Sequence, residues 1–101
     1  MPEYRTLARV ADIPVGKAKA VPMGPKSIAI FNQGGQFFAI DDLCPHMGAS
    51  LAEGIVRDGI VACGWHAWRF RLADGCWMNS PKLKIGCYPV RVVGDEIQVE
   101  V

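Results

Sequence analysis

The sequence lacks an excess of either charge. Its 101 residues include 11 lysines and arginines against 10 aspartates and glutamates, which gives a formal net charge of +1. Nucleic-acid binding requires many basic side chains that neutralise phosphates, so this balance argues against a nucleic-acid partner. Half of the residues are hydrophobic and 21% are charged, a composition typical of a chain that folds around a core rather than of a disordered tail.

Long hydrophobic runs are also lacking. No stretch approaches the roughly 20 apolar residues of a membrane-spanning helix. The first ten residues mix charged and apolar side chains instead of forming the apolar segment of a signal peptide. These absences predict a soluble, unexported protein in the cytoplasm. Because 101 residues leave too little chain for a second core, we expect one domain spanning residues 1–101.

Helical periodicity is nearly absent, and short apolar runs alternate with turn residues. The last six residues alternate apolar and polar side chains behind the turn Gly94-Asp95, which predicts a hairpin with residues 88–93. The same pattern predicts three more hairpins: 27–31 with 36–40 across a four-residue turn at 32–35, 55–57 with 60–62, and 68–72 with 76–78. Only residues 49–53 indicate a helical turn. This many short strands predict an all-β sandwich or small barrel.

Histidine is scarce, and both histidines follow closely after a cysteine. One pair is Cys44 and His46, the other is Cys63 and His66, and 16 residues separate the two pairs. Each pair follows an apolar strand, where a loop can direct a thiolate and an imidazole toward a common point. The arrangement therefore predicts one metal centre bound by two loops.

Two cysteines and two histidines suit either of two metal centres. One is a tetrahedral zinc ion, and the other is a [2Fe-2S] cluster in which the thiolates bind one iron and the imidazoles bind the other. Zinc fingers with these ligands usually place the two cysteines together and the two histidines together, whereas here each loop supplies one of each. The mixed order favours the cluster. A structural zinc module that binds a partner protein is the alternative from a different functional class.

The two loops resemble those of the Rieske family, whose signature is C-x-H followed by C-x-x-H. The matching segments, 44–49 and 63–70, look like the cluster loops of soluble Rieske ferredoxins and of nitrite reductase subunits. The resemblance implies an antiparallel β-sandwich or small barrel whose cluster-binding subdomain of two hairpin loops covers residues 41–70. It also implies one [2Fe-2S] cluster per chain. By the same resemblance Cys44 and Cys63 bind one iron, and His46 and His66 bind the other.

The sequence departs from the respiratory branch of that family in two respects. That branch joins its loops by a disulfide, whose cysteines would align with Ala49 and Gly64 here. It also has a serine and a tyrosine that donate hydrogen bonds to the cluster region, at the positions of Trp68 and Phe70. Without those donors the reduced cluster is less stabilised. We therefore expect a reduction potential toward the lower end of the roughly −150 to +300 mV range of Rieske centres.

The function implied by the resemblance is one-electron transfer. The chain would take an electron from a reductase and pass it to a terminal oxygenase or a similar redox enzyme. The small subunit of an NADH-dependent nitrite reductase is the alternative, because both kinds of protein contain these motifs. The sequence has no nucleotide-binding loop and no Ser-His-Asp set, so we predict no catalytic residue and expect an electron-transfer component rather than an enzyme. We expect a monomer that has protein partners and does not contact a membrane.

Two further cysteines and three glycines have separate predicted roles. Cys76 and Cys87 are predicted to be free thiols that fill apolar space, with a disulfide or additional ligands as the alternatives. The glycines are predicted to let backbone amides approach the sulfur atoms, where a side chain would block that approach. They are Gly48, Gly54 and Gly64.

Overall fold

The computed structural model describes residues 3–43, 50–63, 68–78 and 80–101, and in these ranges it contains twelve β-strands and two 3-10 helices of three residues each. The strands are β1 (Tyr4–Arg9), β2 (Ala18–Met23), β3 (Lys26–Gln33), β4 (Gln36–Asp41), β5 (Ile55–Arg57), β6 (Ile60–Ala62), β7 (Arg69–Arg71), β8 (Cys76–Trp77), β9 (Ser80–Lys84), β10 (Cys87–Tyr88), β11 (Val90–Val93) and β12 (Glu96–Glu100). The 3-10 helices are Val10–Asp12 and Leu51–Glu53.

The strands form three antiparallel sheets. Their orders are β1-β12-β11, β10-β4-β3-β2 and β5-β6-β7-β8-β9. The prediction of an all-β antiparallel fold is confirmed. Within the described ranges no helix has the length and apolar character needed to cross a membrane.

Strand β3 is the centre of the fold, because both of its faces are buried. Ile28 and Ile30 pack into a core shared with β1 and β12, whereas Ala29 and Phe31 pack into a second core shared with the five-stranded sheet. Adjacent side chains of a strand point to opposite faces, so a strand between two cores is apolar at consecutive positions. The four-stranded sheet is thus the middle layer, and the second core supports the segments that contain the predicted ligands.

The hairpin β3–β4 differs from its prediction in the length of its turn. The strands pair as far as Gln33 and Gln36, which leaves a two-residue turn at Gly34-Gly35, both with positive φ. This turn matches the twist of the strands and favours glycine. Asn32 is therefore not a turn residue. It is buried in β3, where its side-chain amide donates a hydrogen bond to the Ile13 carbonyl at 2.7 Å.

The predicted strand 88–93 is divided at Pro89. Tyr88 pairs with Ala39 in the four-stranded sheet, whereas Val90 begins the pairing of β11 with β12 in the three-stranded sheet. Proline has no N–H to donate to a ladder of hydrogen bonds, so it commonly interrupts strands. The chain passes from one sheet to the next at this residue. The two remaining predicted hairpins form as β5–β6 and as β7–β8, the second with shorter strands than predicted.

Candidate metal centre

Cys63 is the one predicted ligand that belongs to the described residues. It directly follows β6 and is only 2% exposed, in a hydrophobic cluster that also contains Leu51, Val61 and Phe70. Burial among apolar side chains keeps water away from its sulfur atom. The other three predicted ligands lie outside the described residues: Cys44, His46 and His66.

The segment 44–49, here called the first ligand loop, has its two ends held together. Leu43 and Ser50 form an antiparallel bridge across its base. The Leu51 amide donates a hydrogen bond to the Asp42 carbonyl at 2.6 Å. Because the flanking residues are bonded to each other, the fold fixes the two positions between which this loop runs.

The segment 64–67, here called the second ligand loop, is closed in a similar way. The Cys63 amide donates a hydrogen bond to the Trp68 carbonyl at 2.7 Å. The indole of Trp68 stacks on that of Trp77, with 4.5 Å between ring centroids and 22° between ring planes. Trp77 in turn pairs with Phe70 across strands β8 and β7. Aromatic stacking in the five-stranded sheet thus supports the base of this loop.

One residue next to each ligand loop belongs to the same part of the core. Leu51, which follows the first loop, and Cys63, which precedes the second, belong to one hydrophobic cluster. Two thiolates and two imidazoles on a pair of loops with a common base suit a [2Fe-2S] cluster bound between the loops. The described residues therefore fit the predicted cofactor.

Gly54 has a structural role that differs from the predicted one. A Cβ atom at this position would lie 2.2 Å from the Ala62 carbonyl oxygen and 3.1 Å from the Leu51 carbonyl oxygen. The glycine therefore allows two protein backbones to approach each other, next to Cys63. The Gly54 amide donates to the Leu51 carbonyl at 2.9 Å, so the prediction that this amide approaches a sulfur atom is wrong. The corresponding predictions for Gly48 and Gly64 fall outside the described residues.

Replacing Gly54 by alanine should therefore destabilise the protein. The added methyl group must push Ala62 away, and overpacking of this kind costs about 1–3 kcal/mol of unfolding free energy. We expect a lower urea midpoint and less bound iron per chain, because Ala62 precedes Cys63. Gly34→Asn is the control, since no atom lies within 4 Å of a Cβ at Gly34 and asparagine tolerates positive φ. Equal urea midpoints for Gly54→Ala and the unmodified protein would show that the close approach of Gly54 to the Ala62 backbone does not require glycine.

Cys76 and Cys87 are free thiols, as predicted. Cys87 does not fill apolar space, however. It is exposed, and its thiol lies 3.4 Å from the Ala73 carbonyl oxygen, to which it donates. The pKa of Cys87 is raised, mainly by partial burial of the thiol and secondly by the negative charge of the nearby Asp74 carboxylate. A raised pKa leaves the thiol protonated and less suited to metal binding near neutral pH.

A cluster of polar groups around Asp41, which precedes the first ligand loop, was not predicted from the sequence. The Tyr88 hydroxyl donates a hydrogen bond to Asp41 Oδ1 at 2.5 Å, and the Gly86 amide donates one to Asp41 Oδ2 at 2.7 Å. Lys26 Nζ lies 3.3 Å from the Tyr88 hydroxyl oxygen. A Cβ at Gly86 would come within 2.5 Å of that hydroxyl. These contacts join residues up to 62 positions apart, and no local sequence signal indicates them.

The Tyr88 contact predicts a pH dependence of stability. Burial and the hydrogen bond to Asp41 raise the pKa of Tyr88 above its usual value. The unfolded chain therefore loses the phenol proton first, so stability from this group is complete below about pH 10 and declines as pH rises toward the folded pKa. The stability advantage of the unmodified protein over Tyr88→Phe should shrink between pH 9 and pH 11 in urea titrations. Tyr4→Phe, which alters the chain's other tyrosine, is the control, and an advantage independent of pH would contradict the assignment.

Comparisons with known proteins agree with this geometry. The family model described as the Rieske [2Fe-2S] domain matches residues 3–89. The 3-phenylpropionate/cinnamic acid dioxygenase ferredoxin subunit of Shigella flexneri is 41% identical over 93 residues, which cover 90% of this chain and 87% of that protein.

Two solved structures are similar over nearly their whole length. One is the ferredoxin in a complex of reduced oxygenase and oxidized ferredoxin in carbazole 1,9a-dioxygenase, with 28% identity, a TM-score of 0.85, and coverage of 96% of this chain and 92% of that one. The other is a Mycobacterium tuberculosis protein assigned as the small subunit of an NADH-dependent nitrite reductase. It has 25% identity, a TM-score of 0.89, and coverage of 100% of this chain and 96% of that one.

Proposed function

Since the chain belongs to the Rieske [2Fe-2S] domain family, we propose that it is a one-electron carrier between a reductase and a terminal oxygenase or a similar redox enzyme. The observation that carries the proposal is the 41% identity with a dioxygenase ferredoxin subunit over 90% of this chain. A second support is the similarity to the ferredoxin that is bound to its oxygenase in the carbazole 1,9a-dioxygenase complex.

One [2Fe-2S] cluster per chain follows from the family. Cys44 and Cys63 are the proposed ligands of one iron, and His46 and His66 those of the other. Three observations support the assignment: the family match includes all four residues, each ligand loop adjoins a residue of one hydrophobic cluster, and Cys63 is buried there. The cluster supplies a site that accepts and releases one electron.

The chain's own residues hold the bases of the ligand loops in place and restrict the access of water to them. Hydrogen bonds join the residues that flank each ligand loop, so these flanking residues keep their positions when the charge of the cluster changes. The stacked Trp68 and Trp77 rings and the buried Phe70 keep water away from the base of the second loop. Restricted solvent access and fixed hydrogen bonds are the means by which a protein tunes a metal centre.

A nitrite reductase small subunit is the second candidate function. It is favoured by the TM-score of 0.89 with the Mycobacterium tuberculosis protein, although the sequence identity with that protein is 25%. The 41% identity with the dioxygenase ferredoxin subunit favours the oxygenase system. Reoxidation of the reduced chain separates the two candidates. A Rieske oxygenase with its aromatic substrate should accept the electron faster than the large subunit of a nitrite reductase does.

Spectroscopy of the purified protein tests the proposed function directly. A red-brown protein with visible charge-transfer bands, and a mixed-valence paramagnetic resonance signal after dithionite reduction, are the expected results. The competing zinc module would be colourless and would not accept an electron. A fully metal-loaded preparation that contains zinc and gives no resonance signal after reduction would overturn the proposal.

We also propose that the protein is cytoplasmic and forms a single domain over residues 1–101. The free thiols of Cys76 and Cys87 support a reducing compartment, because oxidising compartments favour disulfides. Cell fractionation tests the location. For a single domain, urea unfolding followed by far-UV circular dichroism and by visible absorbance should give coincident transitions.

A further inference from the structure

Asp42 is a buried carboxylate at the base of the first ligand loop. It is 3% exposed and lies immediately after β4, two positions before Cys44. Acidic side chains are rarely buried this completely unless other groups satisfy them. Its contacts therefore indicate what the burial achieves.

Three donors from two parts of the chain converge on this carboxylate. Ser50 Oγ donates to Asp42 Oδ1 at 2.7 Å, and the Ala52 amide donates to the same oxygen at 3.0 Å. Ser27 Oγ donates to Oδ2 at 3.3 Å. Ser50 and Ala52 follow the first ligand loop, and Ser27 belongs to β3. One side chain thus connects the two ends of the loop to the central strand.

The backbone of Asp42 makes the same connections. Its amide donates to the Ser27 carbonyl at 2.9 Å, and its carbonyl accepts from the Leu51 amide at 2.6 Å. Loss of the side chain would remove the side-chain hydrogen bonds and leave the two backbone hydrogen bonds in place. A substitution at this position can therefore change the loop without removing the strand that precedes it.

Among the described residues, the groups that donate hydrogen bonds to this carboxylate are all neutral. The ion pairs found among the described residues join Arg9 with Asp95, Lys19 with Asp12, and Arg71 with Asp74, and Asp42 takes part in none of these. A negative charge in a poorly solvated place is weakly screened, and it disfavours the addition of an electron nearby. Asp42 therefore has two effects: its hydrogen bonds position the residues next to the loop, and its negative charge opposes the addition of an electron nearby.

We propose that Asp42 is a positioning residue whose carboxylate ties both ends of the first ligand loop to β3 and lowers the reduction potential of the cluster. The inference rests on the proposed function, since it requires the cluster to lie against this loop. It concerns a residue that binds no iron and acts through the loop and through its charge.

Asp42→Asn removes the negative charge of the side chain and keeps its size and shape. The amide oxygen can still accept from Ser50 and Ala52, and the amide nitrogen can donate to the Ser27 hydroxyl, so the loop contacts can be preserved. We expect Asp42→Asn to bind as much iron as the unmodified protein and to show an upward shift of the reduction potential in protein-film voltammetry. Asp95→Asn makes the same chemical change at a carboxylate that is 67% exposed and paired with Arg9, and should leave the potential unchanged.

Asp42→Ala and Ser50→Ala test the positioning contact. Asp42→Ala removes every side-chain hydrogen bond and should lose most of its bound iron, whereas Ser50→Ala removes one donor and should lose less. Asp42→Asn should restore the iron content that Asp42→Ala loses. Changes in the paramagnetic resonance g-values of the reduced Asp42→Ala protein would report an altered ligand environment.

The outcomes separate this inference from the proposed function. An unmodified protein without a mixed-valence signal would reject the proposed function, whatever the variants do. If that signal is present, an unchanged potential in Asp42→Asn overturns the electrostatic part of the inference. Normal iron content and g-values in Asp42→Ala overturn the positioning part.

Discussion

Cys63→Ala should abolish assembly of the [2Fe-2S] cluster. Thiolates are the ligands that hold the iron of such a centre, and alanine supplies no donor atom in their place. The purified variant is expected to contain almost no iron, to lack visible absorbance bands and to give no paramagnetic resonance signal after reduction. His66→Ala should have the same effect, although it alters a residue of the second ligand loop rather than one in the core.

The chain provides matched controls for this prediction, because it contains four cysteines and only two are proposed ligands. Cys76→Ser and Cys87→Ser should keep the iron content and the spectrum of the unmodified protein. Both thiols lie outside the hydrophobic cluster that contains Cys63. Loss of the cluster in either control, or its retention in both Cys63→Ala and His66→Ala, would show that the proposed ligand set is wrong.

Phe70→Ala should cause a large loss of stability. Phe70 is fully buried in β7, between Val61 of β6 and Trp77 of β8, in the hydrophobic cluster that supports both ligand loops. Truncation of a buried phenylalanine to alanine typically costs about 3–5 kcal/mol, because transfer free energy is lost and a cavity remains. For a domain of this size, the melting temperature should fall by more than about 10 °C.

Differential scanning calorimetry of the cluster-loaded protein measures this effect, and Ile55→Ala is its control. Ile55 belongs to the same sheet but is 70% exposed, so its truncation should cost less than about 1 kcal/mol. Phe70→Leu keeps most of the apolar volume and should give an intermediate melting temperature. A Phe70→Ala protein that melts no lower than Ile55→Ala would contradict the view that this core supports the ligand loops.

Local chemistry explains which features could be predicted from the sequence. Strand β12 was predicted because alternation of apolar and polar residues reports one buried face, and Ile97 and Val99 are indeed fully buried. The hairpin β5–β6 was predicted because Asp58-Gly59 is a preferred turn sequence, and both residues have positive φ. The family of the metal centre was recognised because its ligand types occur at a characteristic short spacing.

Three strands were not predicted, and packing explains why. Strands β2 and β9 pair with the neighbouring strands β3 and β8 and were missed because their own sequences alternate weakly, whereas β1 also has a partner that is distant in sequence. Strand β1 pairs with β12 from the opposite end of the chain. A strand whose hydrogen bonds are made to distant residues has no local signal that distinguishes it from an irregular segment.

The same reasoning separates the two contributions to the candidate site. Residue type and spacing alone predict the donor atoms, because metal binding depends on which sulfur and nitrogen atoms a short segment can offer. Tertiary contacts alone decided that Asp42 joins the ends of a ligand loop to β3, that Asp41 accepts from Tyr88, and that Gly54 permits a close backbone approach. Those contacts join residues that are separated along the chain, so their free energy exists only after the sheets have packed.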